Sequence, residues 1–308
     1  MRLFLCGVYP VKHFSIAAVL LLVSCGGAET ISEPTPIFPE LEKPGIFERM
    51  YTFTENADAT IRVWTQEQGD ETALFESRKN EDGSWSEVIK ITEFPNLGML
   101  TEPSFSPYDG YLYYSSNATH PDVGVGRNPN IWRVKATAIG WEAPEPISLT
   151  INTGASELSP VMDEQGRLYF TSNHSRGVGG HDVYEASWDD AAQDWVVSEM
   201  PEGFNSQRAD TQIAVTPDGN RMFFYTHRQP KIGFVDIYTA TRDADGAWQT
   251  PINLGPSVNT TGPDLGPSVS LDGRTFYFSR DGQLMKMSLS AAIKTEGWTR
   301  ADLEPDAS

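Results

Sequence analysis

Beyond residue 45, apolar positions fall in short runs bounded by Gly, Asp, Asn, Pro and Ser, and the runs alternate with polar residues or carry aromatic and β-branched side chains. A period of two, with no segment sustaining a period of 3.6, predicts short strands and no helix of consequence. The clearest stretch opens a strand at Glu157 that ends near Met162 and turns at Gln165-Gly166. A second strand follows at Leu168-Tyr169-Phe170-Thr171-Ser172, then a glycine-rich loop at Gly177-Val178-Gly179-Gly180. His181 to Ala186 gives a third strand, and Trp195-Val196-Val197-Ser198 begins a fourth.

The same plan recurs. Turns at Asp109-Gly110, Gln165-Gly166, Asp218-Gly219 and Asp272-Gly273 place their glycines 56, 53 and 54 residues apart. Each is followed by an aromatic-rich run and then by a tryptophan, at Trp141, Trp195, Trp248 and Trp298. Trp85 stands 56 residues before Trp141 and marks a degenerate first copy, with strands expected at Arg49 to Phe53, Thr60 to Trp64 and Ala73 to Ser77. A fixed period in this range marks a repeat architecture. Four antiparallel strands per repeat, arranged radially, predict an all-β, five-bladed β-propeller over residues 46–308. A strand shared between the first and last blades would close the ring, and the pattern leaves open which terminus supplies it.

The N-terminus reads differently. Arg2, Lys12 and His13 precede an apolar run from Phe14 to Val23, too short to span a bilayer, which predicts a signal peptide over residues 1–24. Leu22-Val23-Ser24-Cys25 resembles the bacterial lipobox. The resemblance implies cleavage before Cys25 and its lipidation, which anchors the domain through acyl chains. Gly26, where an inner-membrane retention signal has Asp, implies an outer-membrane lipoprotein facing the periplasm. Residues 25–45, with Pro34, Pro36, Pro39 and Pro44, predict a semi-extended tether in which Ile37, Phe38 and Leu41 are apolar enough to pack on the domain.

Charge and cysteine content narrow the partners. The chain has 23 basic and 42 acidic side chains, and loss of Arg2 and Lys12 leaves 21 basic ones. That balance argues against nucleic acid and against docking on anionic lipid. The other cysteine, Cys6, lies within the signal, so the domain has neither a disulfide nor thiol chemistry.

Leu168 to Asn173 followed by Gly179-Gly180-His181-Asp182-Val183-Tyr184 resembles a WD-repeat-like propeller repeat of bacterial envelope proteins, found in TolB-type propellers and beside OmpA-like domains. The resemblance implies a scaffold that hosts many roles. No OmpA-like segment follows Trp298, so peptidoglycan binding through such a domain is not expected.

Propeller geometry sorts the recurring residues. With strands a to d running outward from the axis, the a–b and c–d turns share one face, and the d–a and b–c connections share the other. Asp-Gly serves the a–b turn, and the Gly-x-Trp indole is expected to pack between blades. On the opposite face, Glu102, Glu157, Asp210 and Asp264 are read as equivalent acids at the start of strand a, ringing the channel mouth. They either accept backbone N–H bonds from adjoining blades or together hold a cation such as Ca2+. The b–c loops on that face carry His120, Asn173, His174, Arg176, His227, Arg228 and Arg280. His174 and His227 both lie eight residues past a turn glycine. Loops on a rigid ring are where binding residues concentrate, so these are the candidate ligand or partner contacts.

Two functions fit. The first is a non-catalytic binding or scaffolding lipoprotein, monomeric, engaging an envelope protein, peptide or glycan. The alternative is a five-bladed carbohydrate-active enzyme with channel-mouth carboxylates as acid and base. Repeat-equivalent acids argue against the enzyme, because acid and base need unlike environments. No nucleophile–base set, zinc spacing or phosphate loop stands out.

Overall fold

The computed structural model describes residues 32–39, 48–122, 128–175, 177–299 and 301, and Cys25 and Leu41 lie outside the described residues. The described chain forms five sheets, each of four antiparallel strands. It enters through β1 (Thr35–Pro36), which pairs with the last strand of the chain. Blade 1 follows as β2 (Met50–Glu55), β3 (Ile61–Gln68), β4 (Glu71–Arg78) and β5 (Ile89–Lys90). Blade 2 is β6 (Leu100–Phe105), β7 (Leu112–Ser116), β8 (Asn130–Val134) and β9 (Glu145–Pro146). Blade 3 is β10 (Glu157–Met162), β11 (Leu168–Ser172), β12 (Asp182–Asp189) and β13 (Asp194–Glu199). Blade 4 is β14 (Asp210–Val215), β15 (Arg221–Thr226), β16 (Asp236–Thr241) and β17 (Ile252–Asn253). Blade 5 is β18 (Asp264–Val269), β19 (Thr275–Arg280) and β20 (Gln283–Ser288), completed by β1. The inner strands β2, β6, β10, β14 and β18 pack in that order, and β18 returns to β2.

The N-terminal segment therefore closes the ring. Phe38, 2% exposed, packs against Phe53 and Trp64. Burying it contributes about 1.5–3 kcal/mol to holding a two-residue strand in place. Among the described residues, helix is confined to the short segments Leu289–Ala292 and Ile293–Thr295, and no helix is long and apolar enough to cross a membrane.

The recurring motifs act as architecture. Gly110, Gly166, Gly219 and Gly273 have φ between 69° and 78°, the left-handed region their turns require. Trp141 donates across to Glu76 of blade 1 at 3.0 Å, and Trp248 donates to Glu185 of blade 3 at 3.1 Å, so these indoles staple neighbouring blades. Asn152, Asn205 and Asn259 each accept from and donate to the backbone of one residue, Ile131, Val183 and Ile237 respectively. Asp182 and Asp236 accept the N–H groups of Gly179 and Gly233, tying down their b–c loops.

Each a–b strand pair slips by a β-bulge. The bulge residues Thr52, Glu102, Ser159, Gln212 and Gly266 all have φ between 46° and 60°. Left-handed backbone costs a non-glycine residue on the order of 1–3 kcal/mol. Here it recurs at all five bulges, and at the four that carry a side chain, Thr52, Glu102, Ser159 and Gln212, it turns that side chain toward the axis.

Candidate functional site

Strand register separates the four acids. Glu157, Asp210 and Asp264 open their strands, paired with Ser172, Thr226 and Arg280. In blade 2 that position is Leu100, paired with Ser116. Glu102 is two residues further on, at the bulge, and is not the equivalent of the other three. The proline of strand a in blades 2, 3 and 5 gives the correct alignment, since counting back three from Pro103, Pro160 and Pro267 reaches Leu100, Glu157 and Asp264.

Glu102 alone of the four lines the axial cavity, beside the bulge residues Thr52, Ser159 and Gln212. Its Oε2 accepts the Ser159 N–H at 2.8 Å. Burial pushes the Glu102 carboxyl up, against the pull of that N–H and of the Ser159, Gln212 and Ser115 side chains. Its charge adds to burial in raising Tyr225 to about 12. The axial cavity is about 30 Å³, room for on the order of one or two waters and not for a sugar ring.

The other three acids turn into slots between blades. In blade 4, Arg228 donates to Asp210 at 2.8 Å and to the Phe204 carbonyl at 2.6 Å, with its guanidinium over Phe224 and Tyr238. In blade 5, Arg280 donates to Asp264 at 3.0 Å and to the Val258 carbonyl at 2.5 Å, and lies over Phe278. Burial still raises Asp264, outweighing Thr260 and Arg280. Glu157 accepts from the Thr153 and Ser172 hydroxyls through Oε1, and burial raises it. The acids therefore sit in separate slots, not in one ring. Among the described residues no group of three or more His, Cys, Asp or Glu side chains is placed to hold a metal ion.

The His and Arg candidates also divide. Arg228 and Arg280 are bound within the fold as above. Asn173 accepts the Ser156 N–H at 2.8 Å, joining a d–a connection to a b–c loop. His120 is 2% exposed, and its Nδ1 accepts the Asp122 N–H at 3.2 Å, so it is a core residue and not a surface contact. His227 faces the Phe234 ring, with Nδ1 3.2 Å from the Phe234 carbonyl. Arg176 lies outside the described residues. His174 and His227 are not equivalent: each lies beyond strand b, but both strands begin two residues past their turn glycine and the strand of blade 4 runs one residue longer. Two residues past the strand end are His174 (from Ser172) and Arg228 (from Thr226).

Sequence reasoning missed a site on the opposite face. Between the a–b and c–d turns of blades 2 and 3 lies a groove of about 640 Å³, walled by Tyr108, Tyr113, Trp188 and Trp195. Tyr108 is 62% and Trp188 47% exposed, and Trp188 meets Trp195 edge to face at 5.6 Å. Arg133, paired with Glu145 at 2.8 Å, and Arg167, paired with Asp163 at 2.7 Å, line it with Asp109 and Asp190. Trp188 is a tryptophan outside the Gly-x-Trp register, a departure from the repeat that carried the signal. The carboxyls that burial raises, Glu102, Glu157, Asp182 and Asp264, line no part of this groove.

No protein-family model matches the chain, and no curated protein matches it. Among solved structures, it is similar to an alpha-L-arabinofuranosidase from Lactobacillus brevis, with TM-score 0.51 and 12% identity over 77% of this chain and 89% of that one. It is also similar to an arabinanase from Bacillus subtilis, with TM-score 0.50 and 14% identity over 78% and 94% of the two chains. At these identities the likeness shows the propeller fold alone.

Proposed function

We propose that this propeller is a non-catalytic binding module for a neutral glycan, held in the cell envelope by a lipid on Cys25. The observation that carries the reading is the groove between blades 2 and 3. Its volume falls within the range of ligand sites, with aromatic walls and a few polar groups. Exposed Tyr108 and Trp188 offer flat apolar faces for the C–H face of a sugar, while Arg133, Glu145, Asp109 and Arg167 supply donors and acceptors for hydroxyls. Charges of both signs share the groove, which suits a neutral ligand.

Titration with soluble arabinan and other neutral polysaccharides, followed by calorimetry, tests this. The wild type is expected to bind at least one of them, and Trp188→Ala to weaken that binding at least tenfold. Failure of every neutral polysaccharide to bind, or binding indifferent to Trp188→Ala, would refute the reading.

A second reading, glycoside hydrolysis, is favoured by the likeness in fold to an arabinofuranosidase and an arabinanase and by Glu102, whose buried carboxyl is biased toward the protonated form a general acid needs. Against it stand the small axial cavity and the absence of a second carboxylate among its described lining residues. Release of reducing sugar from arabinan by the wild type, abolished in Glu102→Gln, would establish hydrolysis over binding.

A further inference from the structure

Three interblade slots on the loop-bearing face open with a carboxylate, and two of them hold an arginine of the same chain. The third, in blade 3, has the same frame. Phe170 and Tyr184 occupy the positions of Phe224 and Tyr238, paired across strands b and c in the same register, and they stack at 5.7 Å. Ile151 precedes Asn152 as Phe204 precedes Asn205 and Val258 precedes Asn259, which puts the Ile151 carbonyl where the other two accept from arginine. Glu157 stands where Asp210 stands. The arginine is replaced by His174, whose imidazole is several atoms shorter.

The consequence is a cavity of about 150 Å³ lined by Glu157, Phe170, Tyr184, His174 and Ile151. An apolar protein cavity of about that volume holds a benzene molecule, so a flat guanidinium fits. The cavity reaches solvent past Thr150, Val197 and Glu199, all exposed. Glu157 is 0% exposed, and while Oε1 accepts two hydroxyls, Oε2 is buried with no hydrogen-bond partner among the described residues. A buried carboxylate oxygen without a donor costs the full desolvation of a charged group. The fold resolves the same cost in blades 4 and 5 with a guanidinium on an aromatic floor.

We infer that the blade 3 slot is a binding site for a guanidinium supplied from outside the chain, taken up against Phe170 with its N–H groups directed to Glu157 and the Ile151 carbonyl. The slot lies on the opposite face from the groove, so it is independent of the glycan reading. The chain carries a large acidic excess, which concentrates cationic ligands near its surface. The shared chemistry is a guanidinium, from an arginine side chain of a peptide or from a small alkylguanidinium.

The test is calorimetric titration of the intact domain with N-acetyl-arginine methylamide, agmatine and the neutral isostere N-acetyl-citrulline methylamide. The two guanidinium probes are expected to bind and the citrulline probe not to. The stronger of the two identifies a peptide or a small-molecule source. Glu157→Gln is expected to weaken binding at least tenfold. His174→Arg, which supplies the guanidinium from the chain as Arg228 does, is expected to abolish binding while raising the melting temperature, so loss there cannot be misfolding. Equal binding of the citrulline probe, or guanidinium binding unchanged in both variants, would overturn the inference. Binding seen only after Arg176→Ala would also overturn it, by assigning the slot to the chain's own arginine.

Discussion

Blades 3 and 4 share one frame and differ in what fills it. Both have a buried acid at the first residue of strand a, a Phe on strand b and a Tyr on strand c. In blade 4, Arg228 completes the set, and its pair with Asp210 is nearly buried on both sides, at 12% and 0% exposure. In blade 3, His174 stands in its place and Glu157 keeps an oxygen without a donor. The remaining blades show two other solutions. Blade 5 reaches its acid with an arginine two strand positions earlier, Arg280, and blades 1 and 2 replace the acid with Met50 and Leu100. A repeat can therefore satisfy this slot with an ion pair or with hydrocarbon, and among the described residues the blade 3 slot does neither, which is where a ligand is expected.

The largest effect should come from breaking the filled slot. Arg228→Ala leaves Asp210 buried without its cation, and such losses cost about 3–5 kcal/mol. Urea unfolding should show the midpoint falling accordingly. Arg280→Ala should cost less, because Arg280 is 24% exposed and water can reach the remaining acid. A loss below about 1 kcal/mol for Arg228→Ala would mean that the ion pair is dispensable and the comparison with blade 3 uninformative.

His174→Arg runs the comparison in reverse. Converting blade 3 to the blade 4 solution should stabilise the protein by on the order of 1 kcal/mol, as compatible stabilising substitutions commonly do. A fall in stability on thermal unfolding would show that the two frames are not interchangeable.

The smallest effect is a slope in pH. Burial holds the folded Glu157 above its ordinary 4.5, so the folded state binds that proton more tightly than the unfolded chain does. Its contribution to stability is fully present below about pH 4.5 and is lost as pH rises through the folded value. Glu157→Gln lacks this term. The variant should gain on the wild type between pH 4.5 and neutrality and lose the advantage on acidification. Glu102, Asp182 and Asp264 are also raised by burial, but both proteins carry them, so they cancel in the difference. A difference independent of pH would show that Glu157 titrates alike in the folded and unfolded chains.

The blades were legible because their signals are local. Turn glycines at φ near 70° and alternating strands announce themselves within a few residues. The ring closure was not, because β1 is two residues long and one of them is Pro36. Such a strand has no period to read, and proline fits only because it sits at a sheet edge. The site was legible in composition but not in register. Counting from turn glycines pairs His174 with His227, and reading an acid at the start of each strand a groups Glu102 with the three slot acids. One extra residue in blade 4 and the position of Pro103 shift both assignments, and a slip of one residue reverses the face a side chain occupies. That slip is the difference between a surface histidine and a buried arginine. The aromatic groove went unseen for the opposite reason: Trp188 breaks the repeat, and attention to equivalence passes over what does not recur.

A crystal structure of the protein grown with N-acetyl-arginine methylamide would show directly whether the blade 3 slot takes a guanidinium. The guanidinium is expected to lie flat against Phe170, with a nitrogen within hydrogen-bond distance of Glu157 Oε2, matching Arg228 on Asp210. Glu157 Oε2 paired instead with a side chain of the protein itself, with the probe absent from the slot, would contradict this.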